Sequence, residues 1–346
     1  MKISIGYKKI QGPWGGGNSF SIQLFDYLKK NNINVVNDLN DEDIDLILLT
    51  EPRRYNSAAS FNHLDVLNYI KNKNKETIVV HRINECDERK NSKGLNEFLI
   101  NVSNLADHTV FISDWLKKLY LETGFKDKNN SIIRNGANKE IFNFKESKKL
   151  NKKVKIVTHH WGNDLNKGFD IYQRIDKLLD DKKFSSKFDF TFIGNIPDKL
   201  TFKNTNIVKP LFGRELGNEL RKFDIYITGS KYEPAGMHHI EGAMSGLPIL
   251  YLNSGGVTEY CKNYGLEYNR ENIESKLNEI VADYSLYFNK LKKYEFTGKA
   301  MSKAYFDLFK NLMSDKKNLI ENRTTRNVYN FKFKNQYKIY KYYFYY

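Results

Sequence analysis

Cysteine is almost missing from this chain: Cys86 and Cys261 are the two in 346 residues, they stand far apart, and neither belongs to a CxxC pattern. That excludes a disulfide framework and a cysteine-held zinc, and both read as free thiols in a reducing cytosol. Long apolar runs are missing too, since no stretch reaches the ~18 residues that a membrane-spanning helix requires. The opening "MKISIGYKKI" goes directly into an alternating strand with no signal-peptide core, so the expected location is cytoplasmic. No GxxxxGK[ST] occurs, and the spacing Gly12-Pro13-Trp14-Gly15 breaks GxGxxG. Asp38, after the second strand-like run, imitates a ribose-binding acid, but without that fingerprint a nicotinamide cofactor is not expected. HExxH and long tandem repeats are absent as well.

What is present fits a globular chain. Its 346 residues suit two domains, and 40% hydrophobic content excludes wholesale disorder. The net charge of +15 has two readings. One is an anionic partner: nucleic acid, a membrane surface or a phosphorylated small molecule. The other is an AT-rich coding bias, which enriches Lys, Asn, Ile, Tyr and Phe together whatever the function. Charge alone assigns neither.

The first half alternates strand and helix. Strand-like runs lie at 2–6, 32–36, 45–50, 77–81, 108–112 and 131–134. Between them, Phe20, Leu24, Phe25 and Leu28 have helical spacing, as do Leu95, Phe98, Leu99 and Val102, and Trp115, Leu116 and Leu119. Continuous apolar strands alternating with helices imply a parallel sheet covered on both faces. "NFKESKKLNKK" (143–153) is lysine-rich and lacks apolar period, which predicts a linker. The alternation then restarts, with strands at 154–158, 188–194, 206–208, 224–228 and 248–252 and a helix from Phe169 to Leu179. Residues 271–296 read as helical, and a further helix follows Gly298 to about Leu319. The expected class is α/β, with two Rossmann-like parallel-sheet domains sharing a cleft at the carboxyl ends of their strands. The expected divisions are 1–145, 146–296 and a terminal helix and aromatic, basic tail over 297–346.

Two segments carry chemistry. In "QGPWGGGNSF" (11–20), Gly15, Gly16 and Gly17 let backbone amides approach a ligand, and Asn18 or Ser19 caps the helix that follows. This reads either as a phosphate or sugar cradle or as a flexible turn. In "EPAGMHHIEGAMSG" (233–246), Glu233 and Glu241 flank His238 and His239. A helix starting near Gly236 or Met237 and stopping at Gly246, ahead of Pro248, points the adjacent histidines about 100° apart. They therefore do not chelate one ion as an i,i+4 pair does, and no metal site is expected. Free amides at Gly236, Met237 and His238 instead suit an anion such as a nucleotide diphosphate. Glu233 is placed to accept from sugar hydroxyls and Glu241 from a vicinal diol such as ribose.

The 233–246 stretch resembles the E-x7-E signature of retaining glycosyltransferases of GT-B fold, family 4, with Glu233 and Glu241 at the two glutamates. "NSGGVTEY" resembles that family's small-residue turn ending in a glutamate, here Glu259, and "GPWGGGNSF" resembles its N-terminal glycine loop. "VVHRINE" resembles its strand-then-His segment, and "VFISDWLKKLYLETGF" with "SIIRNGANKEIFN" resembles the stretch that ends in its Asn-Gly-x-[DN] turn, here Asn135–Asn138. "NKGFDIY" matches the Lys-Gly that opens the second domain.

The resemblance implies transfer of a sugar from a nucleotide-diphosphate donor to a hydroxyl of a glycan or lipid-linked acceptor, with retention and with neither metal nor other cofactor. It makes residues 1–145 the acceptor-side domain and 146–296 the nucleotide-sugar-binding domain. By that likeness Lys167, the Gly16 and Gly17 amides and the helix start at Gly236, Met237 and His238 stabilise the diphosphate. Glu233 holds the donor sugar and Glu241 the ribose, and neither needs to be a nucleophile. His81 and Arg82 touch sugar or acceptor from the other domain. One departure stands out. The family carries an arginine five or six residues before the lysine, where this chain has Trp161 and Gly162; His159, His160 or Arg82 are the available substitutes. Two readings of the tail remain. It anchors peripherally at the inner membrane surface, near lipid-linked acceptors, or it packs back on the first domain, "NFKFK" (330–334) alternating like a strand. The alternatives to an active transferase are a catalytically impaired partner subunit and a polyanion-binding protein; nucleic acid is not an expected partner of the transferase.

Overall fold

The computed structural model describes residues 1–325 except 11, 13–14, 54–55, 127–128 and 146. The expectations for the tail, 330–334 included, therefore lie outside the described residues.

Two all-parallel sheets form. The first contains β1 (Lys2–Ile5), β2 (Asn34–Val36), β3 (Leu46–Leu49), β4 (Ile78–Ile83), β5 (His108–Phe111) and β6 (Asn130–Ile132), in the order β2-β1-β3-β4-β5-β6. The second contains β7 (Val154–His160), β8 (Phe188–Gly194), β9 (Asn206–Val208), β10 (Ile225–Thr228), β11 (Ile249–Leu252) and β12 (Gly265–Tyr268), in the order β12-β11-β10-β7-β8-β9. Every residue of β3 and β4 is buried, as continuous apolar runs under helices on both faces require. Each sheet has a switch point where the winding reverses, beside β1 in the first and between β7 and β10 in the second. Crevices at the carboxyl ends of such neighbours are where open α/β sheets take ligands.

The helix Gly16–Lys30 buries Phe20, Leu24 and Leu28 as its spacing predicts, in one core with Tyr305 and Phe309 of the helix Gly298–Ser314. The single helix expected over 271–296 is two, Ile273–Ala282 and Tyr284–Leu291, meeting at Asp283. Their buried positions, Ile273/Leu277/Ile280 and Tyr284/Tyr287/Leu291, continue a single helical spacing, so periodicity does not announce the break; it falls at Asp283, and aspartate is a poor interior helix residue. A second break falls at Asp315, ahead of the helix Lys316–Thr325.

The chain forms two compact units. One comprises Met1–Ile10, Gly17–Arg134 and the chain from Lys299 on; the other comprises Gln11–Gly16 and Asn135–Gly298. The passage into the second unit thus falls at Asn135, earlier than the expected boundary at 146. Asn135 N–H donates to the Tyr260 hydroxyl (2.9 Å), and Gly298 N–H donates to the Ala137 carbonyl (2.7 Å). The expected linker is a strap on that unit. Phe144 packs on Phe288 with ring centroids 5.3 Å apart, Lys148 Nζ donates to the Phe223 carbonyl, and Asn151 donates to both oxygens of the buried Asp224 (2.9 Å each). Burial lowers the Lys148 pKa.

Arg323 ties the end of the described chain to the first unit. Fully buried, it forks onto Asp107 and donates to the carbonyls of Lys75 (3.0 Å) and Thr77 (2.6 Å), while Asp107 also accepts from Val79 N–H (2.8 Å). Removing one member strands the other charge inside. We expect Asp107→Ala to cost about 3–5 kcal/mol. The readout is a lower urea midpoint with an unchanged slope, and a midpoint equal to wild type would refute the clamp.

Two fully buried histidines make stability pH-dependent. His81 on β4 bonds Ser103 Oγ (3.0 Å), and His239 on the helix Met237–Met244 has no hydrogen-bond partner at either ring nitrogen among the described residues. Burial, with His63 nearby, lowers His81 to about 3, and burial lowers His239 to about 3. In the unfolded chain each protonates near its ordinary value of about 6.5. Between those values the unfolded state binds more protons, so the stability contribution is complete above about pH 6.5. It is lost as pH falls towards 3, by up to about 1.4 kcal/mol per unit per histidine. We expect urea midpoints to drop between about pH 7.5 and about pH 5.5, and His239→Leu to make that drop shallower. An identical slope in the variant would show that His239 does not titrate this way.

Candidate active site at the carboxyl edge of the second sheet

The loops leaving β7 and β10 meet at the second switch point. Gly168 has φ +91°, and a Cβ there would lie 2.2 Å from the Gly229 carbonyl group, so the two loops touch backbone to backbone only because this residue is glycine. Lys231 N–H donates across to the Asn166 carbonyl (2.7 Å). The junction buries Lys167 from the first loop beside Glu233 from the second, with Nζ 2.7 Å from Oε2. The turn after β11 locks Glu233 from the other side: Gly256 N–H donates to its carbonyl (2.9 Å), and Ser254 Oγ accepts from Tyr232 N–H (2.8 Å). Tyr232 itself has φ +52°, a strained conformation for a bulky residue.

Glu233 leads into the helix Met237–Met244, as the sequence predicts. Gly236 precedes it with φ +59°, and no side chain caps it. A Cβ on Gly236 would fall 2.7 Å from His238 Cε1 and 2.9 Å from Glu233 Cγ, so Glu233, Gly236 and His238 converge at the helix start. The His238 ring is buried, bonds Thr228 Oγ1 (2.8 Å) and has its pKa pushed well below the ordinary value by burial. The His160 ring lies 4.5 Å from it, tilted by 57°, and bonds the Tyr172 hydroxyl (2.6 Å), which accepts from Gly229 N–H (3.1 Å). Gly16 belongs to the same unit and approaches the same helix start: its added Cβ would lie 2.6 Å from Met237 Cγ.

The structure therefore brings Gly16, Lys167, Glu233, Gly236, Met237, His238 and Glu241 to one end of one unit. Gly17 lies in the other unit, against the Tyr7 ring. Three expected contacts sit elsewhere. His81 is sealed within β4, two residues short of the strand's carboxyl end. Arg82, also buried, lays its guanidinium over the Phe20 ring at 3.9 Å. Both point into the first unit's core because β4 is covered on both faces, which leaves neither at the edge where a substrate contact was expected. His160 is likewise interior, held by Tyr172, so it is no surface substitute for the family's arginine. Trp161, at one of the arginine's positions, is 42% exposed.

Sequence reasoning missed the partner of Glu241. Its Oε2 lies 2.8 Å from His159 Nε2, and His159 Nδ1 lies 3.1 Å from the Tyr226 hydroxyl. The adjacent histidines of "THHW" were visible, but only strand alternation separates the one facing Glu241 from the one facing Tyr172. Among the described residues no group of three or more His, Cys, Asp or Glu is arranged to hold a metal ion, and no helix is long and apolar enough to cross a membrane.

No protein-family model matches the sequence, and no curated protein does. Solved structures match throughout. Sucrose-phosphate synthase from Thermosynechococcus elongatus superposes with a TM-score of 0.66 at 12% identity, covering 91% of this chain and 99% of that one. Anabaena HepE in complex with UDP-glucose gives 0.65 at 11% identity, covering 90% and 99%. An alpha-glucosyltransferase in complex with UDP-glucose and DNA containing an abasic site gives 0.59 at 15%, covering 89% and 99%. At these identities the likeness is one of fold: two Rossmann-like units of GT-B type, as found in glycosyltransferases.

Proposed function

We propose that this chain is a retaining glycosyltransferase that moves a sugar from a nucleotide-diphosphate donor to a hydroxyl of a glycan or lipid-linked acceptor. The observation that carries the reading is the buried Lys167–Glu233 pair at the second switch point, beside the uncapped helix start at Gly236. What sets this pair apart from a structural one is its place: it lies at the carboxyl edge of the sheet beside a helix start with no side-chain cap, where an anionic ligand is favoured. The complexes of HepE and the alpha-glucosyltransferase with UDP-glucose support a nucleotide-sugar donor.

In this reading Lys167 and the amides of Gly236, Met237 and His238 face the negative charge that grows on the leaving diphosphate as the sugar becomes oxocarbenium-like. These groups supply the charge stabilisation without calling on a metal. Glu233, held by Lys167, accepts from donor sugar hydroxyls. Glu241 accepts from the ribose diol. The acceptor oxygen bonds to the anomeric carbon on the face from which the diphosphate departs, and its proton passes to the departing diphosphate oxygen, so no carboxylate needs to act as nucleophile or as general base. Retention rests on the E-x7-E resemblance. A second reading, a partner subunit without activity, draws on Trp161 and Gly162 standing where the family has its arginine.

The test is a panel of UDP-, GDP- and ADP-sugars, scored by thermal shift and then by turnover. One nucleotide series is expected to raise the melting temperature. Lys167→Met and Glu233→Gln are each expected to weaken that binding about 10- to 100-fold, the range for hydrogen bonds to charged groups. Stabilisation that survives both changes unaltered sinks the site assignment. Binding without turnover favours the partner-subunit reading, and salt-sensitive binding to DNA or RNA with no nucleotide-sugar response favours a polyanion binder.

A further inference from the structure

Glu241 has a built-in holder. His159 ends β7 beside the site, and its ring bridges two groups: Nε2 is 2.8 Å from Glu241 Oε2 and Nδ1 is 3.1 Å from Tyr226 Oη. All three are buried or nearly so; the Glu241 side chain keeps 12% exposure and Tyr226 none. The hydrogen-bond pattern orders the protons. A carboxylate only accepts, so the ring proton sits on Nε2 and is donated to Glu241. Tyr226 Oη accepts from the His159 backbone N–H (3.1 Å) and lies close to the Thr158 hydroxyl; for its own proton the nearer acceptor is Nδ1 at 3.1 Å, the His159 carbonyl standing farther off at 3.5 Å. The phenol proton is then free to go to Nδ1. Burial raises the Tyr226 pKa well above its ordinary value, which keeps that proton in place. The tyrosine is fixed in turn, because its ring fills the space over Gly242, where an added Cβ would come within 2.5 Å.

We propose that His159 is a positioning residue that fixes the Glu241 carboxylate for a ribose vicinal diol, with Tyr226 setting the tautomer. The inference rests on the reading above in which Glu241 meets the donor's ribose. Glutamate has three rotatable bonds, and ordering it only when the ligand arrives weakens binding. A donor already bonded to one oxygen removes that ordering step and leaves Oε1, with the second lone pair of Oε2, for the two hydroxyls.

The discriminating measurement is the affinity ratio between a nucleoside diphosphate and its 2′-deoxy counterpart, by calorimetry on the full chain with UDP, GDP and ADP. The ribose form is expected to bind about tenfold more tightly to the wild type, as a hydrogen bond to a carboxylate is worth. Glu241→Ala collapses the ratio to near one. His159→Phe, which keeps the ring volume and drops the donor, collapses most of it, and His159→Gln, which returns an N–H near the Nε2 position, recovers it. Tyr226→Phe lowers the ratio in the wild-type background and has no further effect on H159Q, since glutamine has no second ring nitrogen to hold. This buried, nearly isosteric change also covers the case in which H159F fails to fold. An unchanged ratio in E241A overturns the ribose reading itself. A ratio lost in E241A but intact in H159F and Y226F overturns the positioning role alone.

Discussion

Lys167 and Glu233 are buried 2.7 Å apart, and the arrangement of the second unit's carboxyl edge depends on that pair. Each belongs to a different loop, and the loops leave neighbouring strands that the winding of the sheet separates widely in sequence. Neither charge is tolerable there alone. Removing one leaves the other desolvated and uncompensated, whereas together they hold the β7 and β10 loops in register. The close backbone approach at Gly168 and Gly229 makes the pairing possible, since a side chain at Gly168 would push the loops apart.

Around the pair the unit is packed with rings rather than solvent. His160, His238 and His239 are all buried, and for His238 and His239 burial shifts the balance strongly to the uncharged ring. Such rings line a dry wall without adding positive charge, so Lys167 and the helix start remain the local sources of positive potential. A low-dielectric wall strengthens their action on an anion compared with the same groups in water. The same wall couples function to stability, because the histidines that keep the site dry weaken the fold once the unfolded chain begins to protonate.

Most of the architecture was legible in the sequence because parallel strands buried on both faces are continuous apolar runs that stand out between helical periods. Eleven of the twelve strands overlap the strand-like runs read from the sequence, the short edge strands β6 and β9 among them though they are not continuously apolar; β12 does not, since "GLEY" is short and carries a charge. The strap over 143–153 escaped for a related reason. Its lysine-rich composition reads as solvated, and its placement rests on single anchors at Phe144, Lys148 and Asn151 that have no period. In the candidate site, the glutamate spacing and the helix start were legible because both are local. The burial of His81 and Arg82 within β4 was not legible, because a strand residue's number does not say whether it lies at the edge or one layer in; that depends on where β4 ends relative to its neighbours. The His159–Glu241 bond spans 82 residues and lay beyond any local pattern.

Trp161 and Gly162 change what Lys167 must do within the proposed chemistry. Two cations could divide the work, one neutralising Glu233 and the other the diphosphate. With an exposed indole at Trp161, the lysine serves both, and its ammonium can, because it carries three N–H donors and spends one on Glu233 Oε2. The remaining negative charge falls to the backbone amides at Gly236, Met237 and His238, which cannot be titrated or displaced. Gly162 lies beside the lysine's stem: its added Cβ would make an ordinary contact with Lys167 Cε at 3.6 Å and a tighter one with Asp164 Oδ2 at 3.3 Å. A site built this way relies more on fixed dipoles than on mobile cations, and fixed dipoles need no reorganisation as charge develops on the leaving group.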